Sequence, residues 1–368
     1  MINENLTEKA IELLCRLIEV PRISREETAA ADLLQDYMQD ELGLEVKRMG
    51  NNLWSMQPNF DPEKQTLLLN AHIDTVKPVS GWQRDPFKAT REGSRIYGLG
   101  SNDDGASLVS LLHVFAELAK HSPKGGAGRG LYNLVFLASA EEDVSGKGGI
   151  ESVLPSIQKM VNGKLSNGKC IDVALVGEPT GMQPAIAEKG LMVLDVTAHG
   201  KAGHAARDEG DNAIYHAIDD IQWFCNHKFE KVSPLLGPVK MSVTIVNAGT
   251  QHNVVPDVCT FTVDVRSNEC YTNREIFDEI GKNVTSDIKA RSFRLGSSSI
   301  DANHPLVQRI VALGGKPFGS PTVSDQALMP FPSLKMGPGE SKRSHSADEF
   351  VDFFEIQHAT ETYLALLK

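Results

Sequence analysis

Apolar residues recur at helical spacing in the opening stretch, at Ala10, Ile11, Leu14, Leu17 and Ile18, which predicts an amphipathic helix stopped near Pro21. Ser24-x-x-Glu27 reads as a capping box for a second helix carrying Leu33, Leu34, Tyr37 and Met38. The pattern then changes. Residues 66–73 form an unbroken apolar run of strand length, as expected of a strand buried on both faces of a parallel sheet. Runs of the same kind cover 132–140 and 171–177, and a helix is predicted over 104–120 through Leu108, Leu111, Leu112, Phe115 and Leu118. Strands alternating with helices make an α/β sheet with helices on both faces.

From about 187 to 292 the rhythm differs. Residues 191–198 alternate as a half-exposed strand, a helix is predicted over 212–227, strands over 239–246 and 258–265, and a further helix over 272–288. This β-α-β-β-α order with alternating strands predicts a separate α+β sheet, one face open and one covered by helices. Helices over 304–313 and 348–367 then return the chain to the first pattern. The expected organisation is one domain from 1–186 and 293–368, with a smaller one inserted at 187–292. Two domains also suit a chain of 368 residues. The only low-complexity stretch, at 123–130, reads as a mobile loop.

Composition excludes more than it selects. A net charge of −11 with no dense Lys/Arg block argues against nucleic acid or an anionic membrane as partner. No run is long enough to span a bilayer, and the first residues lack the basic and apolar regions of a signal peptide. The five scattered cysteines have no C-x-x-C spacing, the usage of a reducing cytoplasm, so a cytoplasmic location is expected.

Chemistry gathers at strand ends. His72-x-Asp74 closes the run 66–73, and residues two apart on a strand point the same way, so Asp74 is placed to fix the His72 ring. Asp103-Asp104-Gly105 leads into the predicted helix; one aspartate is enough for a cap, and the other is available to bridge two cations. Glu141-Glu142 ends run 132–140, where adjacent like charges make sense if one binds a dication and the other takes a proton. Glu178 follows run 171–177 before Pro179, and His345 precedes the last helix, whose start Asp348 and Glu349 would favour through its dipole. The carboxyl ends of strands in an open α/β sheet are where ligands bind. Imidazole and carboxylate with no thiolate suit Zn, Co or Mn.

These motifs, in this order over nearly the whole length, resemble the dinuclear-zinc aminoacylases and exopeptidases that include acetylornithine deacetylase, succinyl-diaminopimelate desuccinylase and carboxypeptidase G. The shared features are His-x-Asp, an Asp-rich loop before Gly105, Glu-Glu, Gly-Glu-Pro-Thr and a late His near Asp-Glu; the loop is one residue short of the family's usual lysine. The resemblance implies a zinc-exopeptidase-like catalytic domain with a mainly parallel sheet, and an inserted lid and dimerisation domain. It implies two Zn²⁺ per chain, with Co²⁺ able to substitute. Asp103 would bridge them, His72 and Glu178 completing one ion and Glu142 and His345 the other, with Asp74 behind His72 and Glu141 as general base. A cis peptide would follow Asp103. In the inserted domain, His204 would steady the oxyanion in a partner subunit's site, while Asn253 and Arg266 would grip a substrate carboxylate.

The expectation is a homodimeric two-metal amidohydrolase acting on a small N-acyl amino acid, N-acetylornithine or N-acetylcitrulline in arginine biosynthesis. The alternatives are desuccinylation of N-succinyl-diaminopimelate, N-succinyl-ornithine or N-succinyl-citrulline, a dipeptidase, and an inactive ligand-binding relative.

Overall fold

The computed structural model describes residues 2–120, 130–165 and 170–368, so the glycine-rich stretch 123–129 lies outside the described residues. Two compact units divide them: 1–186 with 300–318 and 329–368, and 187–299 with 319–328.

The sheet of the first unit runs in the order Val46–Met49, Asn52–Met56, Asn133–Ser139, Thr66–His72, Val173–Val176, Ser333–Lys335, Ala185–Glu188. Its four middle strands are parallel, which makes it a mixed α/β fold with a mostly parallel central sheet. Thr66–His72 and Asn133–Ser139 are buried at every position, as their unbroken apolar runs require. Helices Ile2–Ile18, Ala106–Lys120 and Phe353–Leu367 pack against one another, and Ala106–Lys120 is buried over most of its surface. Parallel pairing sets His72 opposite Ser139 and Asn70 opposite Val176. The chain therefore leaves three neighbouring strands at one edge, just before Glu141, Asp74 and Glu178.

The second unit holds a four-stranded antiparallel sheet in the order Lys240–Ala248, Val258–Arg266, Met192–His199, Asp287–Ala290. Its own core is built from Leu194, Val196, Phe261 and Val263 of the sheet with Ala217, Phe224, Ile276 and Ile280 of helices Ala213–Asn226 and Asn273–Gly281. Among the described residues no helix is long and apolar enough to cross a membrane.

Several local expectations are corrected. Glu27, not Ser24, is the N-cap of helix Thr28–Asp36 and makes no side-chain cap; the Ser24 hydroxyl donates to Asp74 instead. The helix expected over 272–288 is a capping-box helix that ends at Gly281, and Asp287–Ala290 is a strand. The buried Asp220 carboxylate forces that change by accepting the amides of Thr285 at 3.0 Å and Ser286 at 2.9 Å. The last helix starts at Phe353, after a short strand Phe350–Asp352, so Asp348 and Glu349 do not lie at its N-terminus. Residues 293–299 and 319–328 group with the second unit. There the buried Glu188 carboxylate accepts the Ser324 amide at 3.2 Å, the Ser324 hydroxyl at 2.8 Å and Gln326 Nε2 at 3.0 Å.

Because Asp220 satisfies two amides at the helix-to-strand turn, Asp220→Ala should lower stability by about 1–3 kcal/mol, read as an earlier urea unfolding transition.

Candidate metal centre

Asp103 sits between two imidazoles. Its Oδ1 lies 3.2 Å from His72 Nε2 and its Oδ2 lies 3.8 Å from His345 Nε2. His72, Glu142 and Glu178 each place a ligand atom within 4.8 Å of the others, and His345 Nε2 is 3.0 Å from Asp143 Oδ1. The arrangement has two poles joined by one carboxylate: His72, Glu178 and Glu142 on one side, His345 and Asp143 on the other. The carboxylate of Asp104 is fully buried, and neither oxygen is hydrogen-bonded among the described residues. Of the two aspartates, Asp103 is the one that faces both imidazoles, and the Asp103–Asp104 peptide is cis.

The Glu-Glu pair does not sit as the sequence suggested. Glu141 adopts a left-handed backbone with φ 56°. Its carboxylate lies against Gly146 and Gly148, where a Cβ at either position would collide with it, and faces Arg25 at 3.7 Å. Glu142 Oε2 instead lies 3.9 Å from His72 Nε2, and Asp143 takes the place beside His345 expected of Glu142. Glu141 thus turns away into the loop, while Glu142 faces His72 and Asp143 faces His345.

Asp74 explains how the next two residues are held. Its buried carboxylate accepts the amide of Glu142 at 3.0 Å, the amide of Asp143 at 3.3 Å and the Ser24 hydroxyl at 2.6 Å. The His72 ring is fixed by the Asp74 backbone: Nδ1 lies 3.0 Å from its carbonyl, against 3.7 Å from the carboxylate. Glu349 does the same for the Asp103 loop, accepting the amides of Gly100 at 3.0 Å, Asn102 at 2.8 Å and Asp103 at 2.9 Å. The Asn102 side chain pairs with the backbone of Glu340, donating to its carbonyl at 3.2 Å and accepting its amide at 2.9 Å. Asp348 accepts the amides of Gln83 and Arg84 at 3.2 and 3.1 Å.

Sequence reasoning missed Asp143, Glu349 and Ser24. The uninterrupted Glu141-Glu142-Asp143 run was a usable signal for the first. The other two were assigned to helix ends because short-range patterns cannot show a tertiary acceptor.

The electrostatics call for cations. Burial pushes the Glu178 carboxyl well above its ordinary range, and Asp103 and Asp104 add to this while Lys335 opposes it. Burial likewise raises Asp143, with Asp103 and Asp74 adding to the shift against the pull of His345 and His72. Burial alone would lower His72, but its bonds to Asp103 and Asp74 carry it well above the usual imidazole value. The Asp143 bond raises His345. Oxygen and imidazole donors converging on two points, with no thiol among them, fit two divalent ions of the zinc type. His72, Glu178 and Asp103 would hold one, and His345, Asp143 and Asp103 the other.

The remaining expected residues lie in the second unit. His204 is exposed and pairs with Val254 in a two-stranded ladder, its Nδ1 accepting the Ala206 amide at 3.1 Å. Asn253, also exposed, adjoins that ladder and its carbonyl accepts the Ala205 amide at 3.0 Å. Arg266 is half-buried and gives one edge of its guanidinium to Asp264, Nε at 2.8 Å and Nη2 at 3.0 Å.

A profile of peptidase family M20/M25/M40 matches residues 68–368. The chain is 26% identical to the acetylornithine deacetylase of Proteus mirabilis, the match covering 80% of this chain and 77% of that protein. It is likewise 26% identical to the succinyl-diaminopimelate desuccinylase of Corynebacterium glutamicum, covering 92% and 90%. The crystal structure of a tripeptidase from Staphylococcus aureus superposes with TM-score 0.74 at 19% identity, covering 98% of both chains, which is a likeness of fold.

Metal must displace protons from the two imidazoles, whose raised values favour the protonated, metal-free form. Affinity for Zn²⁺ should therefore fall as the pH is lowered from about 8 to about 6, measured by competition with a chromophoric chelator.

Proposed function

The chain belongs to peptidase family M20/M25/M40, and on that premise we propose that this metal-dependent hydrolase cleaves the amide bond of a small N-acyl amino acid, with Glu142 as general base. The observation that carries the reading is the position of Glu142: 3.9 Å from His72, with its backbone amide held by Asp74. A base there reaches a water lying between the poles, while Asp143 completes the His345 side.

Two ions, Zn²⁺ with Co²⁺ able to substitute, would polarise the scissile carbonyl and acidify the attacking water when bound. Glu142 takes the proton of that water and returns it to the leaving amine. Asp74 keeps Glu142 and Asp143 in register, and His72, Asp103, Glu178, Asp143 and His345 would hold the ions. Glu141 shapes the turn. From the second unit, Asn253 and the free edge of Arg266 bind the substrate carboxylate, and His204 steadies the oxyanion from a partner subunit. Support for a homodimer comes from Lys240–Ala248, an edge strand with exposed Ile245 and Val246, and from the exposed Tyr215 and Ile218 of the neighbouring helix.

The names of the two curated relatives favour an acetyl or a succinyl group on the amine, and deacetylation of N-acetylornithine is the first reading. Desuccinylation is the second. Release of free amine from a panel of N-acetyl and N-succinyl amino acids and dipeptides separates them.

Glu142→Gln should lower kcat by roughly 10²–10⁴-fold with both ions retained, whereas Asp143→Ala should lose one ion by elemental analysis. Glu141→Gln should keep most of the turnover. Equal inactivation by Glu141→Gln would return the base to the first glutamate.

Mixing His204→Ala with Glu142→Ala under subunit exchange should regain activity that neither homodimer has, because one of the two sites in a mixed dimer is then intact. No recovery, with exchange confirmed by mass, would place His204 in its own chain's site.

A further inference from the structure

Arg22 and Ser24 lie between the first two helices, outside every motif that the function absorbs. Arg22 is buried, and its guanidinium hydrogen-bonds two backbone carbonyls and no carboxylate among the described residues. Nη1 donates to Ile73 at 2.8 Å and Nη2 to Gly100 at 2.7 Å. Ile73 separates His72 from Asp74, and Gly100 opens the loop that presents Asp103. Gly100 has φ 73°, and a Cβ there would press on the guanidinium. The planar fork thus spans the backbones of two ligand-bearing segments, a task for which an ammonium is poorly shaped. The same stretch is registered on the chain beyond His72 by Thr75 N to Arg22 O at 2.9 Å and Ser24 N to Thr75 O at 3.0 Å.

Ser24 works on the third ligand-bearing segment. Its hydroxyl donates to Asp74 Oδ2 at 2.6 Å, the oxygen that also accepts the Asp143 amide at 3.3 Å. Without that short bond the carboxylate keeps only the Glu142 and Asp143 amides, and Oδ2 is left with the longer 3.3 Å contact alone, so the acceptor that positions both residues is less firmly oriented.

We propose that Arg22 and Ser24 are positioning residues for the metal centre: Arg22 fixes the His72 strand end against the Asp103 loop, and Ser24 orients the Asp74 carboxylate that holds Glu142 and Asp143. The proposal rests on the reading of the centre given above.

Coulomb's law gives the test a decisive sign. Removing a buried cation from beside a dication site should tighten metal binding if charge alone mattered. Removing a geometric clamp should weaken it. Metal-free protein is titrated with Zn²⁺ against a chromophoric chelator, and with Co²⁺ by its visible spectrum, for wild type, Arg22→Met, Arg22→Lys, Ser24→Ala and Ser24→Thr. Arg22→Met should bind Zn²⁺ about tenfold or more weakly, Arg22→Lys should recover part of the loss, and Ser24→Ala should weaken binding about tenfold, with Ser24→Thr close to wild type. The Co²⁺ spectrum of Ser24→Ala should change and that of Ser24→Thr should not. Should Arg22→Met fail to fold, Arg22→Lys and the Ser24 pair carry the same comparison. Affinity within about twofold of wild type for Ser24→Ala and Arg22→Lys, or tighter binding by folded Arg22→Met, overturns the proposal. The readout needs no substrate, so a Glu142→Gln variant that stayed active would defeat the catalytic reading and leave this result standing.

Discussion

Mutual repulsion among Asp103, Glu142, Asp143 and Glu178 is the constraint around which the first unit is arranged. Parallel pairing brings the ends of neighbouring strands together, and the turns beyond them deliver acids to one edge. In a low-dielectric interior such a group is held only if the backbone carrying it is fixed from behind. Two further carboxylates do this by accepting amides: Asp74 from Glu142 and Asp143, and Glu349 from Gly100, Asn102 and Asp103. The outer acids are thereby oriented by inner ones. The inner ones are stabilised by hydrogen-bond donors, and the outer ones retain lone pairs for divalent ions.

The fold was legible where one periodicity persisted. Thr66–His72 and Asn133–Ser139 are buried on both faces and read as unbroken apolar runs. Met192–His199 is buried on alternate residues and reads as alternation. Legibility failed where a distant acceptor decides a boundary. Nothing within residues 272–288 shows that Asp220 will bind the Thr285 and Ser286 amides and end the helix early. Ser24-x-x-Glu27 satisfies the local rule for a cap, yet its hydroxyl is drawn to a carboxylate fifty residues away.

Around the centre, the strand ends that precede Asp74, Glu141 and Glu178 were legible as the ends of apolar runs. Asp103 and His345 lie away from the buried strands, in the turn Ser101–Gly105 and just after Ser341–Arg343, where only the neighbouring acids and glycines marked the chain. The turn after Ala140 was not visible: Glu141 takes a left-handed backbone there, and its carboxylate lies against Gly146 and Gly148. That is why the pair facing the poles is Glu142 and Asp143. For Arg266 the sequence did not show that Asp264, two positions earlier on the same strand, takes one edge of its guanidinium.

His345 and Glu349 stand close together near the end of the chain, one beside Asp143 and the other beneath the Asp103 loop. Synthesis runs from the amino end, so His72, Asp103, Asp143 and Glu178 leave the ribosome before them. A nascent chain that has already formed the Thr66–His72 and Asn133–Ser139 strands still lacks both the second imidazole and the anchor of the bridging aspartate. A cut before residue 345 would also remove helix Phe353–Leu367, whose Ile356, Tyr363 and Leu366 belong to the core of the first unit, so the second imidazole and the packing beneath the centre would be lost together.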